Sequence, residues 1–371
     1  MKNILIIHQS AELYGSDNML RLFLENIDRT KFNPIVVLPK DGPLKSVLEN
    51  NNITVELIPV LKLYRKIITY KGALTFLRDY KTAKTKLKKL HAMYNFETVY
   101  SNTLAVLAGA FFSKRFKVKH VWHVHEIVKH PEIIAAIFPK LLKKYASVIV
   151  CNSLATQENI LARIPALKSK TKVIYNGVTD VWLSPETKNN STATLTVTLV
   201  GRISRLKGHQ WTINALKPLL KSNKVNLLFV GSPVEGQEEY LEQVETLILK
   251  NNLQHQIEII PFTSNLKPIW NRTDIALMPS TEAESFGLVA AEAMLAGKAV
   301  IGSNLGGLKE IIVDNETGFL ISPNDDKAFL NAVLILMENP NLLRQMGNKG
   351  RERILTHFST SNYVKKLQEV L

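Results

Sequence analysis

A single cysteine, Cys151, stands among 371 residues. No disulfide can form within the chain, and nothing asks for an oxidising compartment, so a reduced cytoplasm is the expectation. Long apolar runs are scarce. The longest stretch free of charge, residues 98–113, has 16 residues and includes Ser101, Asn102 and Thr103, below the roughly 20 apolar residues that span a bilayer. No transmembrane helix is expected. The apolar opening ends at His8 and Gln9, too short for a signal-peptide core, and reads as a buried first strand. There is no Gly-x-Gly-x-x-Gly fingerprint, which weighs against nicotinamide or flavin chemistry, and no Walker loop. Helix-turn-helix, zinc-finger and RNP signatures are missing too, as are a 20–50-residue repeat and low-complexity tracts.

What is present is an ordinary folding composition, 46% apolar and 21% charged, with length enough for two domains that each bury a core. Acid is in short supply on one side only. The chain carries +15 overall, yet residues 1–175 hold 28 basic and 12 acidic side chains (+16) and the remainder 19 and 20 (−1). Within residues 61–90, Lys62, Arg65, Lys66, Lys71, Arg78, Lys81, Lys84, Lys86, Lys88 and Lys89 face one acid, Asp79. Such a field concentrates an anionic partner: nucleic acid, lipid headgroups or a phosphorylated substrate. It also suits a helix face that is merely solvated.

Short β-branched runs at 4–7, 34–38, 54–58, 98–100, 118–122 and 147–150 alternate with helical patterns. The rhythm repeats at 195–200, 225–230, 257–260, 275–278, 299–301 and 318–321. This spacing predicts an α/β protein with two parallel sheets. The polar stretch 184–193 reads as the connection, giving a first domain 1–183, a second 194–355, and a C-terminal helix 356–371 packing back on the first. Open α/β sheets bind ligands at their strand carboxyl ends, so function is expected where the two sets of ends face across a cleft.

Two constellations carry chemistry. The first runs from Glu284 through Ser285, Phe286, Gly287 and Leu288 to Glu292, after the strand at 275–278. Ser285 is placed to cap the helix, and Phe286-Gly287 lets its first turn approach a ligand closely. On a continuous helix Glu292 lies about 80° round and about 12 Å along from Glu284, one carboxylate near each end of an extended ligand. The second, Gly201-Arg202 to Lys207-Gly208, joins a strand to a helix and suits a diphosphate, Arg202 by its fork and Lys207 as a point charge.

These segments, with Ile174-Tyr175-Asn176-Gly177-Val178 and residues 301–310 (Ile301-Gly302-Ser303 to Gly306-Gly307-Leu308-Lys309-Glu310), resemble a family 4 glycosyltransferase over most of the chain. The resemblance implies the GT-B fold, two doubly wound Rossmann-like domains facing across a cleft. It also implies a nucleoside diphosphate sugar as co-substrate, retention of anomeric configuration, and no metal or other cofactor. Carried onto matching positions, Arg202 and Lys207 hold the diphosphate, Glu292 the ribose hydroxyls, Glu284 with Ser285, Phe286, Gly287 and Leu288 the transferred sugar, and Phe262 lies by the base. Glu284 orients the sugar rather than attacking it.

In the first half, His123-Val-His125-Glu126 is similar to the family's His-Asp/Glu dipeptide. His125 is the better aligned and approaches the donor sugar; His123 is offered as an acceptor contact. A metal held by both is set aside on the expectation that their side chains point to opposite sides of an extended strand. Of the family's Gly-Gly pair before the first helix only Gly15 matches, with Ser16 beside it; their amides approach donor phosphate or acceptor at a helix N-terminus. Asn102, in Tyr100-Ser101-Asn102-Thr103, is a further acceptor contact or else a helix cap. The basic half suggests an acceptor carried on polyprenyl diphosphate at the inner face of the cell membrane, as in bacterial O-antigen or capsule synthesis. A soluble glycan acceptor and, in a different class, a nucleic-acid-binding protein are the alternatives; the second leaves the acid pair unexplained.

Overall fold

The computed structural model describes residues 1–63, 70–182 and 194–371, the side chains of Tyr70 and Lys71 excepted. The expected connection at 184–193 lies outside the described residues, as do Tyr64, Arg65, Lys66, Ile67 and Ile68 of the basic stretch. The chain forms two compact units, Met1–Gly177 with Thr360–Leu371, and Val178–Ser359.

In the first unit the described residues form seven parallel strands: β1 (Lys2–His8), β2 (Phe32–Leu38), β3 (Thr54–Leu57), β4 (Thr98–Asn102), β5 (Lys119–Val124), β6 (Val148–Cys151) and β7 (Thr171–Val173). Their order is β3-β2-β1-β4-β5-β6-β7. The crossovers are α1 (Gly15–Asn26), α2 (Pro43–Asn50), α3 (Tyr70–Tyr94), α4 (Ala108–Phe116), α5 (Glu132–Tyr145) and α6 (Leu154–Leu161). Helices cover both faces, so the inner strands are apolar on both, as Ile4, Leu5, Ile6 and Ile7 show by complete burial. Leu5, Ile7, Ile35 and Val37 enter one core layer, and Ile4, Ile6, Val36 and Leu38 the other, the two-residue period of a strand.

The second unit holds β8 (Leu195–Val200), β9 (Val225–Val230), β10 (Ile257–Ile260), β11 (Ile275–Met278), β12 (Ala299–Ser303) and β13 (Gly318–Ile321). They pair in the order β10-β9-β8-β11-β12-β13, all parallel. Its helices are α7 (His209–Lys221), α8 (Glu239–Lys250), α9 (Lys267–Arg272), α10 (Leu288–Leu295), α11 (Leu308–Ile311), α12 (Asp326–Glu338) and α13 (Pro340–His357). Arg351, on α13, ties down the start of this unit: its guanidinium donates to the Asp180 carboxylate at 2.6 Å and to the Trp182 carbonyl at 2.6 Å.

The last helix, α14 (Thr360–Gln368), belongs to the first unit. Tyr363, Val364, Leu367, Val370 and Leu371 enter the layer built on Ile4 and Ile6, each apolar side chain contributing about 1.5–3 kcal/mol of burial. Gly177 makes room for it, since a Cβ there would lie 2.9 Å from the Thr360 Cα.

In both sheets the order reverses between two neighbouring strands, β1/β4 and β8/β11. The crevice beyond the carboxyl ends of such strands is where doubly wound sheets bind ligands.

Candidate active site

Beyond β8 and β11 two loops are welded together by glycine. Gly208 has φ +73°, and a Cβ on it would stand 2.0 Å from the Pro279 carbonyl oxygen; only glycine accepts both the left-handed backbone and the contact. The contact is extended by Thr281 N–H donating to the Leu206 carbonyl at 2.9 Å. It brings the Lys207 Nζ 2.8 Å from Glu284 Oε1, and Ser280 Oγ donates to the same oxygen. Burial opposes ionisation of Glu284, but the Lys207 ammonium and these hydrogen bonds outweigh it, holding the carboxyl below its ordinary range.

The third loop, after β12, nests on the second. Gly307 N–H donates to the Glu284 carbonyl at 2.8 Å, and a Cβ on Gly306 would meet that oxygen at 2.3 Å. Phe286 is buried edge-on to Phe358, ring centroids 5.8 Å apart. Ser285 and Leu288 are half-buried beside it.

The expectation of one continuous helix from Glu284 to Glu292 is overturned. Helix α10 begins at Leu288, capped by Gly287 at φ +103°, so Glu284 lies in the preceding loop and the 80° rotation does not apply. Ser285 is not the cap either, because the left-handed Gly287 turns the chain after it. Glu292 is on α10, half-buried, and its carboxylate makes no hydrogen bond or ion pair with a described residue. Burial pushes its carboxyl up to about 7. Arg202 is exposed on the loop after β8, and Phe262, 53% exposed, follows β10.

At the other switch point the polar groups are interior. His8 ends β1, Asn102 ends β4, and His123 and His125 come from the end of β5. His8 Nε2 lies 2.5 Å from Asp17 Oδ1, and His125 Nε2 2.8 Å from Asn102 Oδ1. His123 Nδ1 lies 2.5 Å from the Tyr100 hydroxyl, while its Nε2 is buried without a partner. The His123 and His125 rings are 3.9 Å apart, which corrects the expectation that they point opposite ways: residues two apart on a strand share a face. No group of three or more His, Cys, Asp or Glu able to hold a metal occurs among the described residues. Thr103, next to Asn102, takes φ +93°, a strained conformation for a β-branched residue; it is held there by Trp122 Nε1 donating to its carbonyl at 2.9 Å.

His123 and Asn102, the offered acceptor contacts, are interior in this structure, 0% and 1% exposed. Asn102 does not cap a helix, since the cap of α4 is Leu107. His125 retains 9% exposure, and burial pushes its imidazole down to about 3, so it is neutral. Glu126, next in sequence, is pushed up to about 7 by burial although Leu104 and His125 N–H groups donate to it. Gly15 is exposed and Ser16 half-buried in the first turn of α1. Sequence reasoning missed His8 and Asp17, which belong to no motif and meet only through the fold.

A family model described as Glycosyltransferase Family 4 matches residues 15–181, and one described as Glycosyl transferases group 1 matches residues 181–353. The chain is a GT4-type glycosyltransferase. This transferase is 26% identical over 314 residues to an uncharacterized glycosyltransferase of Methanocaldococcus jannaschii, covering 82% of this chain and 80% of that one. It is 28% identical over 294 residues to an alpha-maltose-1-phosphate synthase of Mycolicibacterium smegmatis, 71% of this chain and 75% of that one. Its fold matches HepE of Anabaena, solved with UDP and glucose, at a TM-score of 0.83 over 99% of this chain and 98% of that one, at 23% identity. Both sheets are therefore those of the GT-B glycosyltransferases.

Proposed function

We propose that the enzyme transfers a hexosyl unit, with retention, from a nucleoside diphosphate sugar to a hydroxyl of a glycan carried on polyprenyl diphosphate, in bacterial O-antigen or capsule assembly. The observation that carries this reading is the Lys207–Glu284 pair, 2.8 Å apart at the β8/β11 switch point with the half-buried, unpartnered Glu292 on the helix that follows. A lone carboxylate there suits ribose hydroxyls, which donate to it, and the ammonium suits a diphosphate. UDP is the first nucleotide to test, by analogy with HepE.

In the proposed step the bond from the anomeric carbon to the diphosphate oxygen breaks, and a bond to the acceptor oxygen forms on the same face. The acceptor proton passes to the departing phosphate oxygen. Lys207 and Arg202 stabilise the charge that develops on the leaving group, which is where preorganised cations act most strongly. Glu284 fixes the sugar through its hydroxyls, Phe262 gives the base an aromatic surface, and His125 contacts the donor sugar. In this scheme the diphosphate charge falls to the two basic side chains.

The membrane part of the reading is supported by α3. Ala83, Leu87 and Leu90 face inward, while Arg78, Lys81, Lys84, Lys86, Lys88 and Lys89 are exposed. Leu74, Leu77 and Met93 are exposed beside them. Among the described residues no helix is long and apolar enough to cross a membrane, so attachment would be peripheral, at the inner face, worth about 1 kcal/mol per basic residue on an anionic surface.

Thermal shift with UDP, GDP, dTDP and ADP sugars tests the donor. One nucleotide class should raise the unfolding midpoint, and no response to any of them would end the proposal. Sedimentation with anionic vesicles, reversed by salt, tests the surface; equal binding to neutral vesicles, or none, would favour a soluble acceptor, as the likeness to an alpha-maltose-1-phosphate synthase allows.

A further inference from the structure

We propose that Asp17, His8 and Asn102 form a one-way hydrogen-bond relay that locks His125 as the Nε2–H tautomer, so that the nitrogen it offers a ligand, Nδ1, is an acceptor. The argument follows from which atoms can only donate and which can only accept.

Asp17 is 2% exposed. Its Oδ2 accepts from the Tyr14 N–H at 2.9 Å, and its Oδ1 is 2.5 Å from His8 Nε2. A carboxylate only accepts, so His8 Nε2 carries the proton. The other nitrogen of His8, Nδ1, has two neighbours on Asn102, the side-chain Nδ2 at 3.0 Å and the backbone carbonyl at 3.3 Å. An amide NH2 only donates, so at the shorter contact, the one the relay uses, Nδ1 accepts. The Ser16 carbonyl, an obligate acceptor 3.4 Å from Nδ2, sets which way this amide points. Oδ1 therefore faces His125 Nε2 at 2.8 Å and must accept from it. Every donor in the series points towards Asp17.

A neutral imidazole has one N–H, and burial keeps His125 neutral. With that proton spent on Asn102, Nδ1 is bare, and it makes no hydrogen bond to a described residue. A sugar hydroxyl meeting it must donate, and an ether or deoxy carbon at the same place would find no partner. This reverses the polarity of a histidine that donates to the sugar. Asp17, His8 and Asn102 are positioning residues for His125. The consequence for transfer rests on the function proposed above, whereas the tautomer does not.

Two-bond 15N–1H correlation spectra of the full-length, histidine-labelled, ligand-free protein read the tautomers directly, with His125→Gln and His8→Gln assigning the signals. Both histidines should show a protonated Nε2 and a bare Nδ1. A proton on His125 Nδ1, or averaging between the two forms, would overturn the relay. Asp17→Asn tests it from the far end: Tyr14 N–H still needs an acceptor, so the new amide must turn its NH2 to His8 and force the proton onto His8 Nδ1. The expected result is an inverted His8 signal and a turnover lower by about tenfold, with the donor KM within about twofold. An unchanged His8 tautomer in folded Asp17→Asn would also overturn it. Asn102→Asp should keep the Nε2–H form of His125 by retaining an acceptor, and loss of that form would count against the relay. If instead the tautomers are as stated but no nucleotide sugar binds, the proposed function fails and the relay stands.

Discussion

The two switch points of this enzyme are built on opposite plans. At β1/β4 one line of interior polar groups is partnered within the protein, Asp17 to His8, Asn102 to His8 and His125. At β8/β11 the polar groups are half-buried on loops that glycines press together, and Glu292 has no protein partner. A partnered interior network holds a side chain in one orientation before any ligand arrives. A carboxylate left unpartnered in a half-buried wall costs stability that a ligand can restore.

That contrast can be broken in four ways. Lys207→Ala should cut turnover by about 10²–10³, the size seen when one preorganised charge stabiliser is removed, while far-ultraviolet circular dichroism stays unchanged; a wild-type rate in a folded variant would remove the second switch point from the chemistry. Gly208→Ala puts a methyl against the Pro279 carbonyl at positive φ and should cost about 2 kcal/mol or more in urea unfolding. Asp17→Ala leaves buried His8 without its acceptor and should cost about 1–3 kcal/mol by the same measurement; an equal loss from Glu292→Ala would erase the distinction drawn here.

The smallest effect concerns pH. Burial raises the Glu292 carboxyl from 4.5 to about 7, so its folded value lies above its unfolded one. The stability this contributes is present below the unfolded value and disappears as pH rises through about 7. Glu292→Gln should therefore be more stable than wild type at pH 8 and indistinguishable at pH 4. Affinity for the nucleoside diphosphate sugar should run the other way, rising between pH 6 and 8 in wild type as the carboxylate forms, and staying flat in Glu292→Gln; calorimetric titration at both pH values checks this.

Much of the fold was legible from residue order. Runs such as 195–200, 225–230 and 257–260 coincide with β8, β9 and β10 because apolar β-branched residues between turn formers have few alternatives. β7 escaped notice: Thr171–Val173 is three residues long with a lysine at its centre, too short to show a period. The Lys207 and Glu284 loops were legible because glycines and charges sit at fixed distances along the chain. The relation between Glu284 and Glu292 was not, since it turned on Gly287 adopting φ +103°, with Leu308 Cδ2 2.7 Å from where a Cβ would be. The pairing of His123 with His125 was open to the sequence and was misjudged.

By itself the sequence determined the strand–helix alternation, the division of charge between the halves and the loops able to carry phosphate and sugar, all of them encoded in neighbours along the chain. Only the tertiary structure decided that residues 8, 17, 102 and 125 share one hydrogen-bonded line. The physical reason is separation: His8 and Asn102 stand 94 positions apart and carry no local signature, and the line from residue 17 to residue 125 closes only once parallel strands bring their ends to the same edge of a sheet.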